Sequence, residues 1–396
     1  MATRRTPLAW KNLVHDPRRL VLAASGVGFA AVLMFTQNGF RNALLDSPIQ
    51  LIQMVDAPLV AVSKARYMLP ATQQFDRDLL RRAAADPDVV EIQPLFIELY
   101  LARVRVEGQP SRPIRVIAVP MRRSNADFEP WLRIKGLEAQ RDLLRRPGTA
   151  LVDTKTRKPF GFARDESGRP TRQQVDLAGR PIDIVGSVSI GTDFANEGTL
   201  LVSEESFADY FQLRNRGQPL ESVDLGFIRL RDGADVQSVA ARLEGMAPKQ
   251  WEVLPQATLM AREQDFWQDQ TPVGMIFFIG TLMGFAVGVI ICYQILYTSL
   301  QDAMPEFATL KAMGYPNGYF IGLVVKQSLF LSFFGFIPAV LVSWGLFHLL
   351  GSWSGLPMLL TIPRMAGVLG LTTGMCLISG LLAMRKLLRA DPASLF

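Results

Sequence analysis

The sequence predicts an α-helical membrane protein with four transmembrane helices and one large extracytoplasmic domain, mixed α/β and β-rich, between the first and second helix. Three observations indicate this. Four stretches are apolar and long enough to cross a bilayer. Residues 41–271, between the first two, carry many charges and short segments rich in β-branched residues. The composition, 49% hydrophobic and 20% charged, fits a chain that lies partly in lipid and partly in water.

The four stretches meet the length that a bilayer requires. A hydrocarbon core of about 30 Å takes roughly 20 mostly apolar helical residues, because each backbone amide must be bonded internally. The predicted spans are residues 20–40, 273–297, 320–350 and 365–384. The first is too long for the apolar core of a signal peptide, and no small-residue cleavage site follows, so we expect it to be retained.

Lysine and arginine near the span ends indicate the orientation, since cytoplasmic segments carry an excess of both. They are frequent in residues 1–19 and 385–396 and absent from residues 351–363. We therefore expect two cytoplasmic termini and a short periplasmic loop at 351–363. Residues 41–271 then form a periplasmic domain, and residues 298–319 form a cytoplasmic segment.

The net charge of +6 is explained by this orientation. The basic residues flank the spans or scatter through residues 41–271, and they form no single stripe along which a nucleic acid would bind. We therefore expect contact with anionic membrane lipid and no nucleic-acid partner.

Both ends of residues 41–271 show the same pattern of a strand, an amphipathic helix and a second strand. The predicted strands and helices of these two units are residues 58–63, 73–85 and 89–91, and residues 223–231, 234–246 and 251–253. The sequence between them is rich in strands. This pattern predicts one α/β lobe built from both ends, with a β-rich insertion. From Gln256 a helical pattern continues toward the second span, with Pro272 as a kink or as the entry point.

Several kinds of chemistry are excluded by missing motifs. No Gly-Lys dipeptide occurs, so the chain has no phosphate-binding P-loop and no ATPase site of that class. Two histidines, His15 and His348, make no zinc cluster, so we expect no metal site and no catalytic residues. The spans contain only Lys326 among Asp, Glu, Lys and Arg, which disfavours an ion-coupled carrier. A lysine near the cytoplasmic end of a span can extend to the interface.

Small residues mark two of the spans. Gly280, Gly284 and Gly288 recur every four residues in the second span, and Gly370 and Gly374 do so in the fourth. Glycines at this spacing let another helix approach closely. The pattern fits packing within one chain and a homodimer seam equally well. The two cysteines, Cys292 and Cys376, both lie in spans and are expected to be packing residues.

Residues 301–316 predict a short cytoplasmic helix. Pro305 suits a first turn, Glu306 and Lys311 suit the two ends of the helix dipole, and Gly314 suits a C-terminal stop. Phe307, Leu310 and Met313 would form an apolar strip on one side. Such a strip fits either a membrane surface or a partner protein.

The order of one span, a large domain and three spans, together with PEFATLKAMGY at residues 305–315, resembles the MacB/FtsX-type permeases of ABC transporters. Three further segments resemble the DevC branch of that family. They are TPLAWKNL at residues 6–13, MFTQNGF at residues 34–40 and DPASLF at residues 391–396.

The resemblance implies a non-catalytic permease subunit of the bacterial inner membrane, which forms a homodimer. A separate ABC ATPase, which holds ATP and Mg, would dock at Glu306, Phe307, Leu310, Lys311 and Gly314. The periplasmic domain would meet an adaptor protein joined to a TolC-like outer-membrane channel. ATP-driven closure of the ATPase would rock the helices and transmit force to that domain, for export of a glycolipid or another lipophilic substrate.

Two other functions remain open. An FtsX or lipoprotein-release type complex shares the span pattern and exports nothing through a channel. A membrane receptor without transport activity would use its outer domain to sense a ligand.

Overall fold

The computed structural model describes residues 17–121 and 131–389. Residues 1–16, 122–130 and 390–396 lie outside this part of the chain, and with them most of the predicted segment 1–19, the end of the predicted tail 385–396, and the DevC-like segments 6–13 and 391–396. The α-helices are α1 (Pro17–Asp46), α2 (Gln50–Gln53), α3 (Arg77–Ala83), α4 (Arg141–Leu144), α5 (Glu204–Tyr210), α6 (Val236–Gly245), α7 (Gln256–Asp265), α8 (Pro272–Asp302), α9 (Met304–Ala312), α10 (Asn317–Ser354) and α11 (Ile362–Arg389).

Thirteen strands occur in the described residues. They are β1 (Leu59–Ser63), β2 (Phe75–Asp76), β3 (Val89–Glu98), β4 (Arg103–Arg105), β5 (Arg112–Pro113), β6 (Arg115–Val119), β7 (Thr149–Asp153), β8 (Gln173–Leu177), β9 (Arg180–Val188), β10 (Thr199–Ser203), β11 (Ser222–Val223), β12 (Leu225–Leu230) and β13 (Trp251–Pro255). The 3-10 helices are Glu138–Gln140, Lys158–Phe160 and Arg214–Gly217, and the π-helix is Phe266–Gln270.

The chain divides into two compact units, which we call the helix bundle and the sheet domain. The helix bundle consists of the described residues of Met1–Asn42, Pro272–Leu349 and Met358–Phe396, and the sheet domain consists of those of Ala43–Thr271 and Leu350–Pro357. Helices α1, α8, α10 and α11 are long and apolar enough to cross a membrane, which confirms the prediction of four apolar helices. Each extends a few residues beyond its predicted span.

Four neighbouring strands of the sheet domain come from both ends of its main segment. Their order is β13-β1-β12-β3, with β1 antiparallel to β12 and β13, and β12 antiparallel to β3. The two strand-helix-strand units, β1-α3-β3 and β12-α6-β13, therefore interleave, as in the split βαβ arrangement of ferredoxin-like folds. We call these four strands with α3 and α6 the ferredoxin-like half. The predicted lobe built from both ends of the segment is confirmed.

The β-rich insertion extends the same sheet through β3. The first part of β3 pairs with β12, whereas Phe96, Ile97 and Glu98 pair with β6. From β6 the order continues β10-β7-β9-β8-β4-β5, with the β6–β10 and β7–β9 pairs parallel. We call β4 to β10, with the helices between them, the insertion half. One sheet of eleven strands therefore connects both halves.

The sheet is covered on both faces, so its central strands read as continuous apolar runs. In β1, Leu59 and Ala61 face a cluster that contains Leu79 of α3 and Leu243 of α6. Val60 and Val62 face a second cluster on the opposite side. The alternation places successive side chains of one strand in two different cores.

The helix that leads from the sheet domain toward the second span is interrupted. Helix α7 passes into the π-helix Phe266–Gln270, and Thr271 then has extended backbone angles, φ −111° and ψ 144°. Helix α8 starts at Pro272, whose fixed φ suits a first helical turn. Of the two predicted roles of Pro272, the structure therefore supports the entry point.

Candidate functional site

The predicted short helix is present as α9, within the loop between α8 and α10. Pro305 lies in its first turn with Glu306, and Lys311 lies in its last turn. The helix ends at Ala312 with Met313 as its C-cap, and Gly314 follows with φ +91°, a left-handed conformation that favours glycine. The amide of Gly314 donates to the carbonyl of Lys311 at 3.0 Å. The predicted start and stop signals are confirmed.

The apolar side of α9 does not face solvent. Phe307 is buried, and its ring lies 5.4 Å from that of Phe320 at the start of α10. Leu310 is half-buried against the same cluster of bundle residues. These two side chains anchor α9 to its own bundle. An aspartate at either position would bury a charge and disturb folding, so such a variant would not report on partner binding.

The exposed side of α9 and the turn after it present a different set of residues. Glu306, Lys311 and Gly314 are exposed, and so are Met313, at 63%, and Tyr315. Of the predicted strip of Phe307, Leu310 and Met313, the first two pack on the bundle and Met313 is exposed. The 3.6-residue period identifies an apolar side but does not identify the partner that covers it. That Glu306, Phe307, Leu310, Lys311 and Gly314 form a docking site for an ATPase stays a prediction.

The glycines of α8 face helices of the same chain. A methyl group at Gly284 would lie 3.3 Å from Met34 Cγ of α1. At Gly288 it would lie 3.0 Å from Ala30 Cβ and would overlap Met375 Sδ of α11. At Gly280 it would lie 2.5 Å from Gln37 Oε1. This face of α8 is therefore filled from within the chain.

The two glycines of α11 are packed differently. A methyl group at Gly370 would meet no heavy atom within 4 Å, and at Gly374 it would lie 4.0 Å from a ring carbon of Phe285. The face of α11 at Gly370 is therefore open in the single chain, and a role for it in a dimer seam stays a prediction.

The buried polar side chains in the described part of the bundle are neutral. Lys326 is exposed on α10, in agreement with a side chain that extends to the interface. Ser379 donates to the carbonyls of Met375 and Val289, each at 2.7 Å. Cys292 and Cys376 are buried with their Sγ atoms 3.7 Å apart, in contact across α8 and α11.

The sheet domain contains a buried ionic cluster that sequence reasoning missed. Asp224 accepts hydrogen bonds from Arg66 at 2.9 Å, from the amide of Ile97 at 2.8 Å, and from Arg214. All three charged side chains are at least 95% buried. Burial raises the pKa of Asp224, while the positive charges of Arg214 and Arg66 oppose this. The members lie up to 158 residues apart in sequence, so no local motif identifies them.

The donors and acceptors of this cluster are largely used within the protein. Arg66 also donates to the carbonyls of Gln73 and Leu69, and Arg214 donates to the carbonyl of Pro219. Such a network of paired donors and acceptors connects distant parts of the domain. Across residues 17–121 and 131–389, no group of three or more His, Cys, Asp or Glu side chains has the geometry of a metal site.

Comparison with known proteins identifies part of the helix bundle. Residues 275–392, which include α9, match the model of the FtsX-like permease C-terminal family. Members of that family are non-catalytic membrane subunits of ABC systems. A search of curated proteins found no match.

Solved structures match the chain at low identity. The periplasmic region of MacB from Actinobacillus actinomycetemcomitans is 12% identical, with a TM-score of 0.34, over 53% of this chain and 94% of that one. The extracellular domain of the noncanonic ABC-type transporter YknZ from Gram-positive bacteria is 11% identical, with a TM-score of 0.32, over 50% of this chain and 98% of that one. The four apolar helices, long enough to cross a membrane, and the match of residues 275–392 to the FtsX-like permease C-terminal family together indicate a membrane protein with a permease-like C-terminal part.

Proposed function

We propose that the chain is the permease subunit of an ABC-type exporter of the MacB/DevC kind. A separate ATPase binds the exposed side of α9, and the helices transmit its ATP-driven closure to the sheet domain. The subunit works as a homodimer in the bacterial inner membrane with both termini in the cytoplasm. A periplasmic adaptor joins the sheet domain to a TolC-like channel, and the cargo is a glycolipid or another lipophilic molecule.

The observation that carries this proposal is the way α9 is held. It lies within the matched permease domain, and Phe307 and Leu310 fix it to the bundle. Glu306 and Lys311 are exposed beside Met313 and Tyr315, so a rigid helix offers charged and apolar groups together. A fixed helix transmits a push, whereas a mobile loop absorbs it. Exposed methionine and aromatic side chains are also common at protein interfaces.

A docking test should therefore use Met313 and Lys311, since both are exposed and removable without loss of the core. The test is co-purification with an ABC ATPase identified by mass spectrometry, and stimulation of its ATP hydrolysis in liposomes. Met313→Asp and Lys311→Glu should each lower both by at least about tenfold, as for central interface residues. Met246 is also an exposed methionine but lies in the sheet domain, so Met246→Asp is the matched control. It should change neither the co-purification nor the stimulation of ATP hydrolysis.

The outcomes separate the candidate functions. Wild-type recovery and stimulation in both α9 variants would refute docking at this surface. No stimulation of any ATPase by the wild-type chain would favour the receptor. Stimulation together with binding of an adaptor that has a long coiled coil would favour the exporter over the lipoprotein-release type of complex.

A further inference from the structure

The last turn of α10 and the first residues of the short loop after it, Leu350–Pro357, belong to the sheet domain and not to the helix bundle. Leu356 is buried, and Thr192 Oγ1 donates to the carbonyl of Ser354 at 3.3 Å. A connection of a few residues between two membrane helices is therefore built into the sheet domain.

Gly355 shows how tightly this loop is seated. Its φ is +76°, and a methyl group there would overlap Thr192 Oγ1 and approach the carbonyl oxygen of Lys155 to 2.9 Å. Both neighbours belong to the insertion half. Glycine is required here for its backbone conformation and for the lack of space.

The segment after α1 also contacts this turn, at Gly191, the residue before Thr192. Gly191 has φ +107°, and a methyl group there would overlap Oε1 of Gln50, the first residue of α2. Helix α2 follows α1 in the chain after three residues. Gly191 and Thr192 therefore lie against both the segment after α1, at Gln50, and the end of α10, at Ser354. We call these two residues the seat.

Charged side chains of β6 and β7 hold the seat through hydrogen bonds. Asp153, fully buried at the end of β7, accepts from the amide of Gly191 at 2.8 Å and from that of Ile190 at 3.2 Å. Arg115 of β6 donates to the carbonyl of Gly191 at 3.2 Å and pairs with Asp193. Asp193 in turn accepts from the amides of Ala195 and Asn196. A turn fixed at so many points by charge-assisted bonds is rigid.

We propose that the seat joins the segment after α1 and the loop after α10 into one mechanical unit. Gly191, Thr192 and Gly355 are then positioning residues, through which two separate helix connections bear on the insertion half together. This deepens the proposed function, because it names where movement of these helices enters the sheet domain. A substitution that destabilises one of these two connections should therefore destabilise the other as well.

Hydrogen exchange of the full-length chain in lipid nanodiscs tests the claim without nucleotide or ATPase. Gly355→Ala adds strain and overlap, and should accelerate amide exchange in residues 350–357 by about tenfold or more. If the seat joins the two connections, residues 48–54 should also exchange faster. Gly191→Ala should produce the same pair of effects from the other side.

Two further variants keep the test decisive. Gly351→Ala is the matched control, since a methyl group there meets only the carbonyl oxygen of Leu356 at 3.5 Å, and exchange should stay at the wild-type rate. Thr192→Val keeps the shape and removes the donor to Ser354, so it serves if a glycine variant does not fold. Faster exchange confined to the segment next to each substitution would overturn the proposal. A permease with no ATPase partner would leave this result unaffected, so the two proposals fail separately.

Discussion

The sheet domain and the helix bundle bury polar groups in opposite ways. Among the described residues, every buried charged side chain lies in the sheet domain, where Asp224 is paired with Arg66 and Arg214. The buried polar side chains of the bundle are Gln327 and hydroxyls such as those of Ser379 and Thr372. Thr372 and Ser379 donate to carbonyls one turn earlier in their own helix.

The contrast shows how each unit is stabilised. A buried charge can be offset by partners that a sheet collects from distant parts of the chain. In lipid a lone charge is costly, and helices associate instead through small residues that permit close approach. Substitutions of charge should therefore affect the sheet domain most, and substitutions of size should affect the bundle most.

The largest effect is expected from Asp224→Asn. It removes the carboxylate that the buried guanidinium groups of Arg66 and Arg214 share and leaves Arg214 only the longer pair with Glu98 at 3.8 Å, which should destabilise the sheet domain by about 3–5 kcal/mol. Denaturation followed by tryptophan fluorescence, to which the buried Trp251 contributes, measures this. Asp209→Asn is the control, because its pair with Arg180 is exposed and should matter little. Equal losses of stability in both variants would show that burial of an ion pair does not decide its contribution.

A size change should act in the bundle. At Gly335 of α10 a methyl group would lie 2.5 Å from Val27 Cγ1 and 3.2 Å from the amide nitrogen of Gly28, both in α1. Gly335→Ala should therefore lower the stability of the bundle in detergent by about 1–3 kcal/mol. Gly345→Ala on the same helix has open space and should be neutral or stabilising. A thermal unfolding midpoint unchanged by Gly335→Ala would show that α1 and α10 do not pack this closely.

Burial of the Glu263 carboxyl group makes the stability of the sheet domain depend on pH. It accepts from the amide of Leu69 at 2.8 Å and from Trp267 Nε1 at 2.7 Å, and burial raises its pKa above the ordinary 4.5. The folded state thus holds this proton to a higher pH than the unfolded state does. Its contribution to stability is complete below pH 4.5 and is lost as the pH rises through the folded pKa.

Glu263→Gln should remove this pH dependence, and it should cost about 1 kcal/mol because one of the two donors loses its acceptor. Melting temperatures of both proteins, measured from pH 4 upward, test this. The advantage of the wild type should shrink with rising pH. An advantage that grows would show that the hydrogen bonds, and not burial, dominate at this carboxylate.

The smallest effect, with the opposite sign, is expected at Asp86. The hydrogen bond from Arg242 holds the pKa of Asp86 below its ordinary 3.8. This pair stabilises the sheet domain above pH 3.8, and the contribution is lost as the pH falls through the lower folded pKa. Asp86→Asn should therefore lower the melting temperature slightly at pH 7 and not at low pH. Asp232→Asn, in an exposed turn, is the control.

Local sequence patterns predicted the helices better than they predicted what those helices pack against. The period of apolar residues identified α3, α6 and α9, and Pro305 and Gly314 identified the ends of α9. The same period could not show that Phe307 turns into the bundle, because an apolar side looks the same whatever covers it. The Asp224 cluster was missed for a related reason, since its residues meet only after β12 is placed beside β3.

The sequence by itself determined four apolar helices, the two strand-helix-strand units and the short helix α9. These follow from length, period and turn chemistry, which act within about 20 residues. Only the tertiary structure decided the interleaved strand order, the pairing of Asp224 with two arginines and the seating of Gly355 against Thr192. Each of these depends on contacts between residues far apart in the chain, and such contacts leave no mark on the local pattern.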